Sequence, residues 1–419
     1  MMKIRFKTSL LLMALVVIML VLSPSTSKAK DLPFHGFVEQ SLGGRYDTPN
    51  DIKDDLILSE TRVQLEYWNA LGPAAEFQVK TDIVNDDITD EADIKLREAY
   101  IWAYPSPNFE IKAGRQVLTW GTGDLIFIND LFPKDYKSFF LGRDTEYLKA
   151  PSDSIKFSFF PKGSIVDVVW TPTFEPDRYL DGERLAYFNT QAGRTIIKDF
   201  SSQVGTPEKD WGNGELALRV KKNYKGHELA FYGYRGFYKQ PNSKLEFSRL
   251  NTYGGSWRSN IFGGIGNFEL GYHDSVDNED GSNPNIPNSY IKGLIGYKRD
   301  LGNDLTIGFQ YNLEHMQDYD EYKATYPFSN KEYMADENRE VTTLRLTKLL
   351  NRQTVRLDLF TYYSPTDDDG YLRPKVSYDW TDNLNVAMGG NVFFGDKEHT
   401  FFGQLEDNSN LYFRMRYSY

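Results

Sequence analysis

Six cations in the C-terminal quarter of the chain, Arg345, Arg356, Arg373, Lys375, Arg414 and Arg416, stand among apolar residues at alternate positions. Leu344 and Leu346 flank Arg345; Val355, Leu357 and Leu359 flank Arg356 and Asp358; Leu372, Val376 and Tyr378 alternate with Arg373, Lys375 and Asp379. Permanent positive charge set along one face can attract anions and hand them onward, provided each hold is weak enough to release. Asp358 and Asp379 offer a competing use, in which the arginines are neutralised in cross-strand ion pairs, and the two uses are compatible. A second charged group, Asp124, Asp130, Lys134, Asp135 and Arg143, lies in the stretch 118–152 among Leu125-Ile126-Phe127-Ile128 and Leu131-Phe132.

Bond-breaking chemistry has no comparable support. No G-x-S-x-G elbow, H-E-x-x-H helix or Walker loop occurs, and His35, His227, His273, His315 and His399 are scattered without ligand spacing. The sequence thus predicts no catalytic residue, no metal and no cofactor. The acidic run 274–281 lacks the order and closing glutamate of a calcium loop and reads as solvated loop. Zero cysteine excludes disulfides and thiolate sites. A formal charge of −11 argues against nucleic acid as a partner, because a phosphate-tracking surface is basic.

The elements that could place such cations on one face are strands. Side chains alternate across a strand, so in 411–419 Leu411, Phe413, Met415, Tyr417 and Tyr419 share one side and Tyr412, Arg414, Arg416 and Ser418 the other. One oily and one wet face suit a strand that separates hydrocarbon from water, where an arginine turned to lipid at mid-bilayer would cost about 2–4 kcal/mol. In 60–68, Arg62, Gln64 and Glu66 are expected inside and Val63, Leu65 and Tyr67 outside; in 75–83, Glu76, Gln78, Lys80 and Asp82 inside and Phe77 and Val79 outside. A mean hydropathy of −0.54 with 15% aromatic residues fits an all-β transmembrane antiparallel β-barrel, because only every second residue of each span meets lipid.

Eight short Gly-, Pro-, Asn- and Asp-rich connections, such as 69–73, 223–226 and 263–267, alternate with nine longer loops, among them 46–54, 84–93, 118–152 and 173–212. They predict about eighteen strands, with sixteen as the alternative if the weak segments 34–45 and 249–262 are miscounted. A soluble sandwich or propeller would explain neither the turn and loop asymmetry nor the aromatic terminal strand. Lys3, Arg5 and Lys7 before the apolar run 9–22, then Ser27-Lys28-Ala29, predict a cleaved export signal over 1–29, leaving a barrel over 30–419 with no room for a plug. Cleavage moves the formal charge from −11 to −15.

The apolar content of 118–152 would make a sticky patch if it hung in water. Folding into the barrel would bury it and bring Asp124, Asp130, Lys134, Asp135 and Arg143 to the narrowest part, with Gly121 and Gly123 permitting the sharp bend; packing as an external cap is the alternative.

The stretch Leu96-Arg97-Glu98-Ala99-Tyr100, Ala113-Gly114-Arg115-Gln116-Val117, Trp120-Gly121-Thr122-Gly123-Asp124 and Asn129-Asp130-Leu131-Phe132-Pro133-Lys134-Asp135 resembles proteobacterial outer-membrane porin-like proteins. The likeness is to an uncharacterised porin-like family with a GRQ, WG, D pattern, akin to alginate-export and substrate-specific porins; Phe132-Pro133 stands where many relatives carry Asn-Pro. Its motif maps onto Glu98, Arg115, Gln116 and Trp120. The resemblance implies a Gram-negative outer-membrane channel and no particular solute. The barrel pattern and the cation ladder add the expectation of passive diffusion of small hydrophilic solutes, anions among them, through a barrel that contacts outer-membrane lipid and lipopolysaccharide and is compatible with a homo-oligomer. Two rival expectations are a receptor or scaffold role for loop 173–212, which carries Arg178, Arg184 and Arg194, and an outer-membrane enzyme, which the missing motifs disfavour.

Overall fold

The computed structural model describes residues 34–46, 55–190, 192–327 and 331–419. The export segment 1–29 and most of loop 46–54 lie outside the described residues. The first strands are β1 (His35–Arg45), β2 (Leu56–Ala70), β3 (Ala75–Asp86), β4 (Glu91–Ser106), β5 (Phe109–Val117), β6 (Pro151–Phe159) and β7 (Ser164–Thr171). A small hairpin follows, β8 (Tyr187–Asn189) and β9 (Arg194–Ile196). Then come β10 (Glu215–Tyr224), β11 (His227–Phe237), β12 (Arg249–Ile261), β13 (Gly264–Ser275), β14 (Tyr290–Asp300) and β15 (Leu305–Met316). The last are β16 (Asn338–Leu350), β17 (Val355–Ser364), β18 (Asp369–Asp379), β19 (Leu384–Gly395) and β20 (Asn410–Ser418).

All but the β8–β9 hairpin join one 18-stranded sheet in which neighbours run antiparallel, and it closes on itself: β1 pairs with β2 on one edge and with β20 on the other, from Phe37↔Ser418 to Arg45↔Asn410. Closure pairs the first strand with the last and so removes the two terminal edges of the sheet, the condition for strands to cross hydrocarbon. Both weak segments are strands, so eighteen stands over sixteen.

The interior and exterior faces follow the alternation. Arg62 and Gln64 are buried while Leu65 is exposed; Tyr412 and Arg414 are buried while Leu411 and Phe413 are exposed. The reversals at one end are tight. Lys225-Gly226 and Phe262-Gly263 are two-residue turns with positive φ at both positions, matching the twist of the strands they join. The second lies just before the segment 263–267 expected from sequence, because β13 takes up the chain from Gly264. At the opposite end the predicted loop 84–93 shrinks to 87–90, its flanks continuing β3 and β4.

One irregularity positions the interior. Lys80 pairs with Glu98 and Thr81 with Leu96, so Arg97 is an extra residue in β4. A bulge of this kind turns neighbouring side chains to the same side, and Arg97 and Glu98 both face inward.

Candidate functional site

The wall gives up its chain at Val117, and residues 118–150 run inside the barrel. The root of this loop explains the motif. Glu98 accepts a hydrogen bond from the Val117 amide at 3.3 Å, and Arg115 donates to the Leu96 carbonyl at 3.0 Å. Two side chains thus replace ladder bonds that β4 and β5 no longer make. Gln116, fully buried, donates to the carbonyls of Ser154 (3.0 Å) and Lys112 (3.2 Å), and Trp120 packs edge-on against Phe132 at 5.0 Å.

Beyond the root, Glu269 of β13 holds both ends of one loop segment. Its carboxylate accepts from the Thr122 amide (2.6 Å) and hydroxyl (2.9 Å), and from the Asn129 amide and side chain (both 3.0 Å). A Cβ at Gly121 would meet that carboxylate at 2.8 Å, and one at Gly123 would meet the Ile126 carbonyl at 2.3 Å, so both glycines are required by close approach. On β15, Gln310 accepts from the Asp124 amide and donates to the Asp124 carbonyl, while Arg345 of β16 grips the Asp124 carboxylate through two bonds, one of 2.9 Å.

The loop then forms the short helix Tyr136–Leu141, whose first turn is capped by Asp135 accepting from the Ser138 amide at 2.7 Å. Phe139 and Phe140 pack on Tyr371, and Phe140 on Phe393, burying the apolar groups that could not face water. Arg143 reaches Glu60 at 2.7 Å and Asp144 receives Arg414 at 2.5 Å. The Tyr147 ring sits between two guanidiniums, Arg62 at 4.2 Å and Arg97 at 4.5 Å from its centroid.

The folded loop separates two cavities. The one toward the turn end, of about 1020 Å³, is lined by all six predicted ladder cations together with Lys298, and by the carboxylates of Asp124, Asp144, Asp358 and Asp379. Four of the six are neutralised: Arg345 by Asp124, Arg356 by Asp358 at 2.7 Å, Arg414 by Asp144, and Arg416 by Glu39 at 2.6 Å. Arg373 and Lys375 have no ion-pair partner among the described residues; the Arg373 guanidinium lies 4.0 Å from the Phe139 ring centroid, with its Nε buried and unbonded. The cavity toward the loop end, of about 630 Å³, takes Asp135, Arg143, Arg178 and Arg184 into its lining.

The five predicted loop residues therefore divide. Asp124 faces the lower cavity, Asp135 and Arg143 the upper. Asp130 and Lys134 are buried in a pair of their own at 3.0 Å, inside the loop, with the ammonium also donating to the Phe132 carbonyl at 2.6 Å. Burial works to raise the Asp135 carboxyl, but Arg178, at 2.8 Å, and Arg143 hold it below its usual range. Asp177, which accepts from the Lys134 amide at 2.7 Å, is pushed by burial up to about 6.

Loop 172–214 is also drawn inward. Arg178 joins Asp135, Arg184 meets Asp86 at 2.6 Å, and the Ala186 backbone exchanges two hydrogen bonds with Asn408 near the opposite wall. Two of the three arginines expected on a free receptor surface are thus internal ties. Sequence reasoning missed Glu269, Gln310, Glu39, Glu60, Asp144 and Tyr147. Glu269 carried a signal, a carboxylate between Phe268 and Leu270 at an interior position; Tyr147 carried none.

No family model matches the chain, nor does any curated protein. Solved structures do. OccD3 (OpdP) of Pseudomonas aeruginosa is similar at 11% identity and TM-score 0.54, over 93% of this chain and 91% of that one. OccAB3 of Acinetobacter baumannii is similar at 10% identity and TM-score 0.55, over 92% of this chain and 98% of that one. The motif family suggested by 96–135 receives no match, and the likeness to substrate-specific porins is one of fold: the chain forms the closed 18-stranded antiparallel barrel of outer-membrane porins.

Proposed function

We propose that the protein is a passive channel of a Gram-negative outer membrane, exported with cleavage of 1–29, that lets small hydrophilic solutes diffuse and favours anions. The observation that carries the preference is Arg373 beside Lys375, two cations on one face of β18 with no carboxylate partner among the described residues, in a cavity where the other four ladder cations are paired. An anion entering there meets net attraction without displacing an internal partner. The tight turns face the periplasm and the long loops the outside, lipid and lipopolysaccharide surround the apolar exterior, and copies of the barrel are free to associate through it. Asp124 and Arg143 act as charges on the path; Asp130, Lys134 and Asp135 act by holding the loop in shape. Nothing is chemically transformed.

Single-channel recording in planar bilayers under a salt gradient tests this reading. The wild-type reversal potential is expected on the anion-selective side, and Arg373→Ala with Lys375→Ala is expected to move it toward zero by more than Arg345→Ala with Arg356→Ala. Equal shifts would remove the unpaired cations from the explanation. Absence of any conductance from the folded protein would remove the channel itself.

A further inference from the structure

The loop-end cavity has a property that an ordinary vestibule lacks. A cavity lying over one face of a strand touches every second residue, but this one touches Asp93, Ile94, Lys95 and Leu96 in succession. It therefore runs along the free edge of β4 and not over its inner face. That edge is free because the β4–β5 ladder begins only at Ala99↔Arg115, so 91–98 pair with β3 alone. The same cavity reaches Arg115 and Asp153, whose alternation with buried Gln116 and Ser152 puts them on the outer face, and it extends inward to Arg143. Ile94 and Leu96, at 70% and 44% exposure, form an apolar outer lip.

We infer that the barrel wall has a lateral window between β4 and the root of the inward loop, and that it admits the anionic head of a single-chain amphiphile from the outer leaflet while the chain stays against Ile94 and Leu96. The sign of the head follows from Lys95. The other cations of this cavity are neutralised, Arg115 by Asp153, Lys137 by Asp181, Arg143 by Glu60, Arg178 by Asp135 and Arg184 by Asp86, whereas Lys95 has no ion-pair partner among the described residues. Glu91 and Asp93 lie nearer the mouth, exposed to water. A polar head finds charge and backbone edge groups inside, and its chain never leaves an apolar surface. The inference goes beyond axial diffusion and requires only that the barrel sit in a membrane.

The chain has no cysteine, so a single introduced thiol can be labelled without background. In planar bilayers, decyl sulfate is expected to interrupt the potassium chloride current of the wild type, and methyl sulfate at the same concentration to leave it uninterrupted. A bulky maleimide on Leu96→Cys should reduce the frequency of decyl sulfate events at least tenfold with the potassium chloride conductance unchanged; the same label on outward-facing Leu372→Cys should leave both unchanged. Lys95→Gln should shorten the events several-fold. Events of equal frequency with and without the Leu96 label would mean entry along the barrel axis and overturn the window. Methyl sulfate acting as well as decyl sulfate would overturn the amphiphile, and unaltered event lengths in Lys95→Gln would overturn the anionic head. Loss of the channel reading would show separately, as absent potassium chloride current.

Discussion

Glu269 carries more of the loop's position than any of the charges that stand out in the sequence. It is buried with no cation paired to it among the described residues, and its oxygens are satisfied by four donors from Thr122 and Asn129. Glu269→Gln keeps the shape but turns one acceptor into a donor that faces other donors. The expected cost is on the order of 1–3 kcal/mol, and because it falls on the loop and not on the wall, single-channel conductance should rise and become noisier while the thermal midpoint of the barrel changes little. A conductance indistinguishable from wild type would show that the remaining ties, Gln310 and Arg345 on Asp124, are sufficient. The six ladder cations were legible because a period of two fixes the side on which a residue lies, and burial of an arginine in lipid settles which side that must be. Their partners were not: Asp144 and Glu146 come from a loop with no period, and Glu39 from β1, seventeen strands away from β20 in chain order round the sheet until closure makes the two neighbours.

At the scale of elements, the two long loops form one unit. Lys134, Tyr136 and Lys137 exchange backbone hydrogen bonds with Arg178, Arg178 pairs with Asp135, and the buried Asp177 carboxyl accepts from the Lys134 amide. The Asp177 pKa is raised from 3.8 to about 6, so between these values the docked state binds more protons than the undocked one. The Asp177 contribution to docking is then full near pH 4 and falls as pH rises through about 6, while further acidification protonates Asp135 and weakens its pair with Arg178. Amide hydrogen exchange across 172–214, corrected for intrinsic rate, should accelerate from pH 4 to pH 7 in the wild type and lose most of that dependence in Asp177→Asn. Strand number was readable from turn chemistry such as Lys225-Gly226, where two left-handed residues admit little but a hairpin. Loop 118–152 was readable as far as its inward course, from apolar residues that needed cover. The path of loop 172–214 across the mouth was not, since its ties, Arg184 to Asp86 and Ala186 to Asn408, join residues about 100 and 220 positions apart.

For the whole molecule, closure of β1 on β20 makes folding all-or-none, because a missing strand would leave two long edges inside hydrocarbon. Detergent-refolded protein should migrate faster on electrophoresis before boiling than after, and far-ultraviolet circular dichroism should be that of extended sheet. Deletion of 411–419 should abolish the fast-migrating form; its persistence would mean that β1 and β19 can find each other directly.

The departure of the backbone from the cylinder at Val117 has a geometric corollary. A polypeptide is a thread of finite length, so whatever throttles the bore has been withdrawn from the staves. In this barrel residues 91–98 of β4 are laddered on one side only, so the length that narrows the bore is length the wall lacks beside them.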